Sequence, residues 1–428
     1  MKIFVPTTTH PSKRSSPVLY IKNILKNLKT VSCVWLLYQP QKFQTSHSSQ
    51  ETVLDIHDYN NAIQVLKEVK PDCVITNNNK YVPVDFAFSL AAKFLNIPLI
   101  NYKIVDLDEP EASRNLAQMK SNIKRNLQKV LSKNSKSNTR HSSFIILKNK
   151  FLYETKKSIG VNRIKNAKSQ LDNIMFHFVG NPSDRFLDLA DLHLVNNDIW
   201  LKMLKEAGID EKRMIVTGNP YWDELYQIYE KETFSKEPIN HKPIKILVVT
   251  NPLVEHGHWS EKEREEFITS LTEILSKDKN FSFSFKIHPS SEDIGTYVNY
   301  LKKINVDAKI YQKESFWDIA KNFDVVISYG YSTIHTEIAI AGYRMLLINV
   351  KKNLRRMPIL NSGIKSGFIE ECDHMEQLPM LVENLIHRKI EFHQNHTKEI
   401  EKLLYKFDGK SGMRAAEAIM MMMNEKEN

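Results

Sequence analysis

The chain has 428 residues, of which 42% are apolar and 26% are charged, a composition typical of a globular protein with two or three domains. Its 60 Lys and Arg against 50 Asp and Glu give a net charge of +10, which permits an acidic partner but requires none. The three cysteines, Cys33, Cys73 and Cys372, form no CxxC pair, so a disulfide scaffold and a thiolate zinc site are not expected.

Apolar runs in the sequence are short. The run at the N-terminus is shorter than the core of a signal peptide, and VSCVWLLY is far below the ~18–20 residues of a membrane span. We therefore expect a cytoplasmic protein of a reducing compartment.

The first 110 residues alternate between short β-branched runs and helical patterns. The predicted strands are Met1–Pro6, Val31–Tyr38, Asp72–Thr76 and Pro98–Val105, and the predicted helices are Tyr20–Leu28, Asp58–Val69 and Val84–Leu95. This alternation favours a parallel α/β sheet.

Residues 112–170 interrupt this alternation. Residues 112–169 contain 15 Lys and Arg and one acidic residue, Glu154. One interpretation is a solvated helical insertion with a loose loop at SKNSKSNTRHSS. The other is a docking surface for an anionic membrane or an acidic acceptor.

The α/β alternation returns with strand Ala190–Val195, helix Ile199–Ala207 and strand Met214–Thr217, and a polar segment then separates the two halves. A second series of strands and helices starts at Ile244–Thr250. The predicted domains are an acceptor domain at 1–233, a nucleotide-sugar domain at 243–405, and a C-terminal helix at 406–428 that crosses back to the first domain. We expect two Rossmann-like doubly wound α/β domains facing a cleft, with ligand-binding loops after the strands.

Two motifs follow strands of the predicted second sheet. In KIHP, Lys286 and His288 stand at a strand end, where the following proline favours an extended backbone. In SYGYSTIHTE, Ser332 and Thr333 open a helix whose N-terminus can bind phosphate, and Glu337 one turn later can accept hydrogen bonds from a ribose. Each motif taken alone also fits an ordinary turn or a capped structural helix.

Two histidine-bearing loops offer further phosphate contacts. NPLVEHGHWSEKE places His256 two residues before His258, but no third metal ligand at the usual spacing is evident. TTTHPSKRS places His10 after the first strand. Solvated loops are the alternative for both.

The acidic loop VDLDEPE carries Asp106, Asp108 and Glu109, from which a general base that deprotonates an acceptor hydroxyl could come. A solvated acidic turn and a metal-binding DxD are the alternatives, and we discount the metal. Asp85 is a rival base that also fits a helix cap. No P-loop, GxGxxG, GxSxG or HExxH motif occurs.

The segment ADLHLVNNDIWLKMLKEAGIDEKRMIVTGNPYWDEL resembles the region before the interdomain linker of UDP-N-acetylglucosamine 2-epimerases and related GT-B glycosyltransferases. KIHP and SYGYSTIHTE resemble the phosphate-binding motifs of GT-B enzymes that use CMP- or CDP-activated donors, such as sialyl- and capsule transferases. FDGKSGMRAAEAI resembles their closing helix. The resemblance covers residues 190–425 well and residues 112–170 not at all.

The resemblance implies an inverting, metal-independent glycosyltransferase that needs no cofactor, since the nucleotide sugar is a substrate. A CMP-linked acidic sugar would be the donor, and a glycan or lipid-linked molecule the acceptor, in surface polysaccharide or glycoconjugate synthesis. His288, Ser332 and Thr333 would contact the donor phosphate, and Glu337 its ribose. Ser332 and Thr333 replace the glycine pair of an epimerase, which favours a transferase.

An epimerase and a non-catalytic sugar-nucleotide or polyanion-binding protein remain as alternatives. No nucleic-acid partner is expected, and peripheral attachment to the inner membrane face through residues 112–169 is an open possibility.

Overall fold

The computed structural model describes most of the chain, including almost all of both predicted sheets. The described residues are 1–13, 15–39, 41–77, 82–103, 136–165, 168, 189–231, 237–255, 258–289, 291–330, 332–349, 358–391 and 395–427. They divide into two compact units, unit 1 (Met1–Tyr226 and Glu401–Asn428) and unit 2 (Gln227–Ile400).

Unit 1 contains an eight-stranded sheet in the order β3-β4-β2-β1-β5-β6-β7-β8, in which only the short β3 runs antiparallel to its neighbour. The strands are β1 (Lys2–Thr7), β2 (Ser32–Leu37), β3 (Ser46–His47), β4 (Glu51–Asp55), β5 (Cys73–Thr76), β6 (Leu99–Asn101), β7 (Leu192–Val195) and β8 (Met214–Val216). Most central strands are buried along nearly their whole length, as expected when helices cover both faces of a parallel sheet.

The helices of this part of the chain start at local signals that the sequence carries. Asn61 and Asn197 accept hydrogen bonds from the amides of Gln64 and Trp200 and so cap two of the helices. The described helices are α1 (Ser16–Leu25), α2 (Ala62–Val69), α3 (Pro83–Phe94), α4 (Lys136–Ser158), α5 (Asp198–Glu206) and α6 (Asp223–Lys231).

Unit 2 contains a six-stranded, wholly parallel sheet in the order β11-β10-β9-β12-β13-β14. The strands are β9 (Ile244–Val249), β10 (Phe281–Lys286), β11 (Lys309–Tyr311), β12 (Val325–Tyr329), β13 (Met345–Ile348) and β14 (Ile369–Cys372). In chain order this is the 3-2-1-4-5-6 arrangement of a Rossmann sheet.

The helices that follow include α7, which begins with a reciprocal capping box between Ser260 and Glu263. The described helices are α7 (Glu261–Lys277), α8 (Ile294–Lys303), α9 (Phe316–Ala320), α10 (Thr333–Ala341), α11 (Pro358–Lys365), α12 (Leu378–His387), α13 (His396–Leu404) and α14 (Ser411–Glu427).

The C-terminal helix α14 belongs to unit 1, although it ends the chain. It packs against α1, and Ala415, Ala416 and Ile419 join the core of the first sheet. Its first amides, at Ser411 and Gly412, donate to the Asp223 carboxylate at 3.0 and 2.7 Å, as a helix N-terminus favours.

The unit boundaries differ from the predicted ones. The first boundary lies at Tyr226–Gln227, within α6, rather than in the polar segment after residue 233, and the return to unit 1 lies at Ile400–Glu401 rather than after residue 405. The sequence indicates a linker by its polar composition. The unit to which each helical turn belongs depends instead on the residues that the turn contacts.

Part of the predicted basic insertion is integrated in unit 1. Residues 136–143, expected in a loose loop, belong to α4. The later turns of α4 pack on α2 and α3: Phe151 and Leu152 are buried, and the Thr155 hydroxyl accepts a 3.0 Å hydrogen bond from the Ala62 amide. The rest of the insertion mostly lies outside the described residues.

Among the described residues, no helix is both long enough and apolar enough to cross a membrane.

Candidate functional site

The carboxyl ends of β9, β10 and β12 form the candidate site of unit 2. The chain order of the strands reverses between β9 and β12, and ligands of open α/β sheets bind at such a switch point. The loops after these three strands therefore lie side by side, because the strands are direct neighbours in the sheet.

The turn at Gly330, after β12, packs closely against the loop that follows β9. Gly330 has a φ of +74°, a left-handed conformation that favours glycine. A Cβ atom there would lie 3.0 Å from the Asn251 side-chain nitrogen and 3.4 Å from Leu253. The turn therefore needs glycine for both its conformation and its close approach to the loop after β9.

Helix α10 starts directly after this turn. Ser332 caps it, but the hydrogen bond that its Oγ accepts from the Ile334 amide is long, at 3.4 Å. Thr333 is exposed at the first helical position. A weak cap beside an exposed hydroxyl leaves this helix start suited to a stronger acceptor such as phosphate.

A buried histidine fixes α10 to the sheet. The Ser328 hydroxyl donates to the Val249 carbonyl at 3.1 Å, so it accepts from His335 Nε2 at 2.8 Å. Burial lowers the pKa of His335 to about 4, which keeps the imidazole neutral. This contact orients the helix start without contributing charge.

His288 follows β10 and is oriented by its own loop. Its Nδ1 atom accepts a hydrogen bond from the Ser291 amide at 3.1 Å. A ring nitrogen that accepts carries no hydrogen, so neutral His288 holds its hydrogen on Nε2. The ring is therefore preset as a donor through Nε2, the form that a phosphate oxygen requires.

Lys286 is the last residue of β10 and is buried. Its Nζ atom donates to the carbonyls of Ile287 and Gln312, both at 2.9 Å. Burial lowers its pKa, while the carboxylates of Glu314 and Glu292 act in the opposite direction. These contacts join the ends of β10 and β11, and a phosphate contact of Lys286 stays a prediction.

Glu337 lies on α10, one turn beyond Thr333. It is 9% exposed, and its Oε2 accepts a 2.9 Å hydrogen bond from the Trp317 indole on α9. The indole fixes the orientation of the carboxylate, as a ribose-binding residue requires, and the ribose contact itself stays a prediction.

An ion-pair cluster connects the loop after β9 to helix α7. Arg264 is 2% exposed and bonds Glu255 at 2.6 Å and Glu261 at 2.7 Å. His256 lies outside the described residues, and within them no group of three His, Cys, Asp or Glu side chains could hold a metal.

In unit 1, the acidic residues Asp106, Asp108 and Glu109 lie outside the described residues. His10 is described in the loop after β1, where its Nδ1 atom pairs with the Ser12 hydroxyl at 2.8 Å.

Asp85, the rival base, lies buried at the start of α3. Its carboxylate accepts from the Tyr38 hydroxyl at 3.2 Å and from the Asn77 amide at 3.4 Å. Burial raises its pKa to about 6, against the opposing effects of these two hydrogen bonds and of Lys103. It is thus poised to exchange a proton near neutral pH.

Sequence reasoning did not identify Glu292 or Thr250. Glu292 is 4% exposed and accepts hydrogen bonds from the Thr250 hydroxyl, the Tyr297 hydroxyl and the His288 amide. The only available signal was the position of Thr250 as the last residue of a predicted strand.

Comparison with known proteins gives similarity at the level of structure only. No protein-family model matches the sequence, and no curated protein matches it. A UDP-GlcNAc 2-epimerase from Methanocaldococcus jannaschii has 14% identity and a TM-score of 0.52, with 98% of this chain and 100% of that chain covered. A UDP co-structure of S. aureus MnaA has 14% identity and a TM-score of 0.51, with 99% and 97% covered.

A glycosyltransferase of kitacinnamycin is also similar, at 12% identity and a TM-score of 0.47, with 98% of each chain covered. The similarity to these two structures extends over nearly the whole chain, and both sheets have the doubly wound strand order. The chain therefore has the GT-B fold, with two Rossmann-like α/β domains, that UDP-N-acetylglucosamine 2-epimerases share with GT-B glycosyltransferases.

Proposed function

We propose that the protein is an enzyme acting on a sugar nucleotide, and that it transfers the sugar to an acceptor hydroxyl with inversion and without a metal. The observation that carries the proposal is the arrangement at the carboxyl edge of the unit 2 sheet. There the Nε2 donor of His288 and the start of α10 flank the switch point between β9 and β12. Both features suit the phosphate of a nucleotide.

The proposed chemistry needs stabilisation of a leaving phosphate. The acceptor oxygen attacks the anomeric carbon, and the bond from that carbon to the phosphate oxygen breaks with its electron pair. His288 Nε2–H and the α10 start, with Ser332 and Thr333, then stabilise the negative charge. A carboxylate of unit 1 accepts the proton of the acceptor hydroxyl. The candidates for this base are Asp106, Asp108 and Glu109, with Asp85 as their rival.

The resemblance of the motifs to CMP- and CDP-dependent transferases favours a CMP-linked acidic sugar as donor. A glycan or lipid-linked acceptor in surface polysaccharide synthesis is the matching acceptor class. Glu337, oriented by Trp317, is proposed to accept hydrogen bonds from the ribose diol.

A UDP-N-acetylglucosamine 2-epimerase is the second candidate, because the structures with TM-scores of 0.50 or more include such epimerases. The two activities separate in one incubation with UDP-N-acetylglucosamine alone. An epimerase changes the sugar without any acceptor, whereas a transferase without an acceptor leaves it intact.

A thermal-shift screen with CMP, CDP, UDP and GDP tests the proposal. A nucleotide at about 100 times its Kd stabilises the folded state by about 2.7 kcal/mol, enough to raise the Tm by several degrees. His288→Ala should reduce this shift, and His387→Ala, at an exposed histidine of the same unit, should keep it. No shift with any of the four nucleotides would contradict the proposal.

Chelation should leave the activity nearly unchanged, because the proposed phosphate contacts are hydrogen bonds from His288 and from the α10 start rather than metal bonds. The measurement is the initial rate of nucleotide release with and without EDTA, after dialysis against the chelator. A loss of rate that magnesium or manganese restores would instead support the DxD reading of Asp106 and Asp108.

The basic insertion predicts reversible binding to anionic membranes. Co-sedimentation with anionic vesicles should fall steeply from low to physiological salt, because surface attraction decays over a Debye length, and neutral vesicles should not bind. Replacing Lys120, Lys124, Arg125 and Lys129 with Gln should weaken binding, because it removes four of the 15 cations of residues 112–169. Equal sedimentation of the quadruple variant would leave the insertion without this role.

A further inference from the structure

Glu292 is a buried carboxylate of unit 2 to which the proposed mechanism assigns no task. Its Oε2 accepts from the Thr250 hydroxyl and, at 2.7 Å, from the His288 amide, and its Oε1 accepts from the Tyr297 hydroxyl. Its main-chain carbonyl accepts from the Gln312 side chain at 2.8 Å. One residue at 4% exposure therefore bonds four others.

These partners come from different elements. Thr250 follows β9, His288 follows β10, Gln312 follows β11, and Tyr297 lies on α8. A buried charge is tolerated only when it is paired and hydrogen-bonded, and bonds to a carboxylate are stronger than neutral ones. Glu292 thus ties together the ends of three neighbouring strands at the edge where the candidate site lies.

The charge of Glu292 is balanced locally. The ammonium of Lys286 interacts favourably with it and itself bonds the carbonyls of Ile287 and Gln312. A cation that interacts favourably with Glu292 helps a carboxylate to lie close to a site for an anionic ligand.

We infer that Glu292 is a positioning residue for the nucleotide phosphate, which it serves by fixing the main chain of His288 relative to Thr250. The inference rests on the proposed function. The His288 ring is oriented by the Ser291 amide, and the loop that carries both residues is fixed at its start by Glu292 Oε2. Displacement of that loop moves the Nε2 donor relative to the phosphate.

The test compares the Glu292→Gln variant with variants of the adjacent residue, Asp293. The glutamine keeps the size of the side chain and one carbonyl acceptor for Thr250 and His288, but it loses the charge. Nucleotide Kd, measured by calorimetry with whichever of CMP, CDP, UDP or GDP binds the wild type, should rise about tenfold or more. A displacement of about 1 Å in such a site can cost on the order of 100-fold.

Asp293 provides the matched controls. It caps α8 through a 2.9 Å hydrogen bond from the Thr296 amide, and none of its hydrogen bonds reaches the site loops. Asp293→Asn removes the same charge and should leave the Kd unchanged. Asp293→Ala removes the cap, so it should lower the Tm and also leave the Kd unchanged. This separates a positioning role from a general loss of stability.

Thr250→Val is the second variant, for the case that Glu292→Gln does not fold. It removes one donor to Glu292 at nearly constant volume and should also weaken nucleotide binding. Wild-type Kd values in the variants that fold would overturn the inference while leaving the proposed function in place. A wild-type protein that binds none of the four nucleotides would overturn both.

Discussion

Replacing His288 with alanine is expected to lower turnover by about 100- to 1000-fold, the usual effect of removing one preorganised donor to developing charge. In neutral His288 the hydrogen lies on Nε2, because Nδ1 accepts from the Ser291 amide. The measurement is the rate of nucleotide release from the donor whose nucleotide stabilises the wild type.

His288→Ala should fold normally, since the ring is only half-buried and lies in a loop after β10. His387→Ala is the matched control, because His387 is an exposed histidine on α12 that pairs with Glu383 one turn away. A rate within about twofold of the wild type for His288→Ala would remove His288 from the mechanism, and an equal loss in both variants would indicate a general effect.

The alternation of short apolar runs with amphipathic helices was sufficient to predict two doubly wound sheets. Strands such as β1 and β12 are buried along nearly their whole length, and this gives the continuous apolar runs from which parallel strands are recognised. The positions of His288 and Ser332 at strand ends followed from the same reading. Which loops lie beside His288 and Ser332 depends on the order of the strands in the sheet, and the sequence does not give that order directly.

Glu292 and the burial of Asp85 could not be predicted because both depend on contacts between distant segments. Glu292 lies in a polar run, SSED, that reads as a solvated turn, yet Thr250 and Tyr297 enclose it. Asp85 reads as a helix cap, yet Tyr38, 47 residues away, donates to it. Polar residues buried by tertiary contacts carry no periodic signal in the chain.

In helix α4, a polar and basic composition concealed residues that pack in the core. The Lys- and Ser-rich composition predicted a solvated helical insertion with a loose loop at SKNSKSNTRHSS, but Phe151, Leu152 and Thr155 are enough to pack the later turns of α4 on α2 and α3. A few apolar positions determine packing even when the average composition is polar and basic.

Asp85→Asn is expected to change how the stability of the protein depends on pH. Burial raises the pKa of Asp85 to about 6, above its ordinary value of 3.8, so between these values the folded state binds more protons than the unfolded state. The contribution of a raised carboxyl pKa is therefore greatest at acid pH and is lost as the pH rises through about 6. Between pH 5.0 and 7.5 the loss is on the order of 1 kcal/mol.

Urea unfolding of the wild type and Asp85→Asn at pH 5.0 and 7.5 measures this change. The asparagine still accepts from Tyr38 but pairs poorly with the Asn77 amide, whose bond is already long at 3.4 Å. The variant should gain relative stability at pH 7.5, and the difference in free energy of unfolding should shift by on the order of 1 kcal/mol between the two pH values. Asp198→Asn, at an exposed carboxylate of unit 1, should show no such shift. A buried carboxylate that lowers the stability of the protein at neutral pH is expected where that carboxylate transfers a proton. A stability difference between wild type and variant that is equal at both pH values would remove Asp85 as a candidate base.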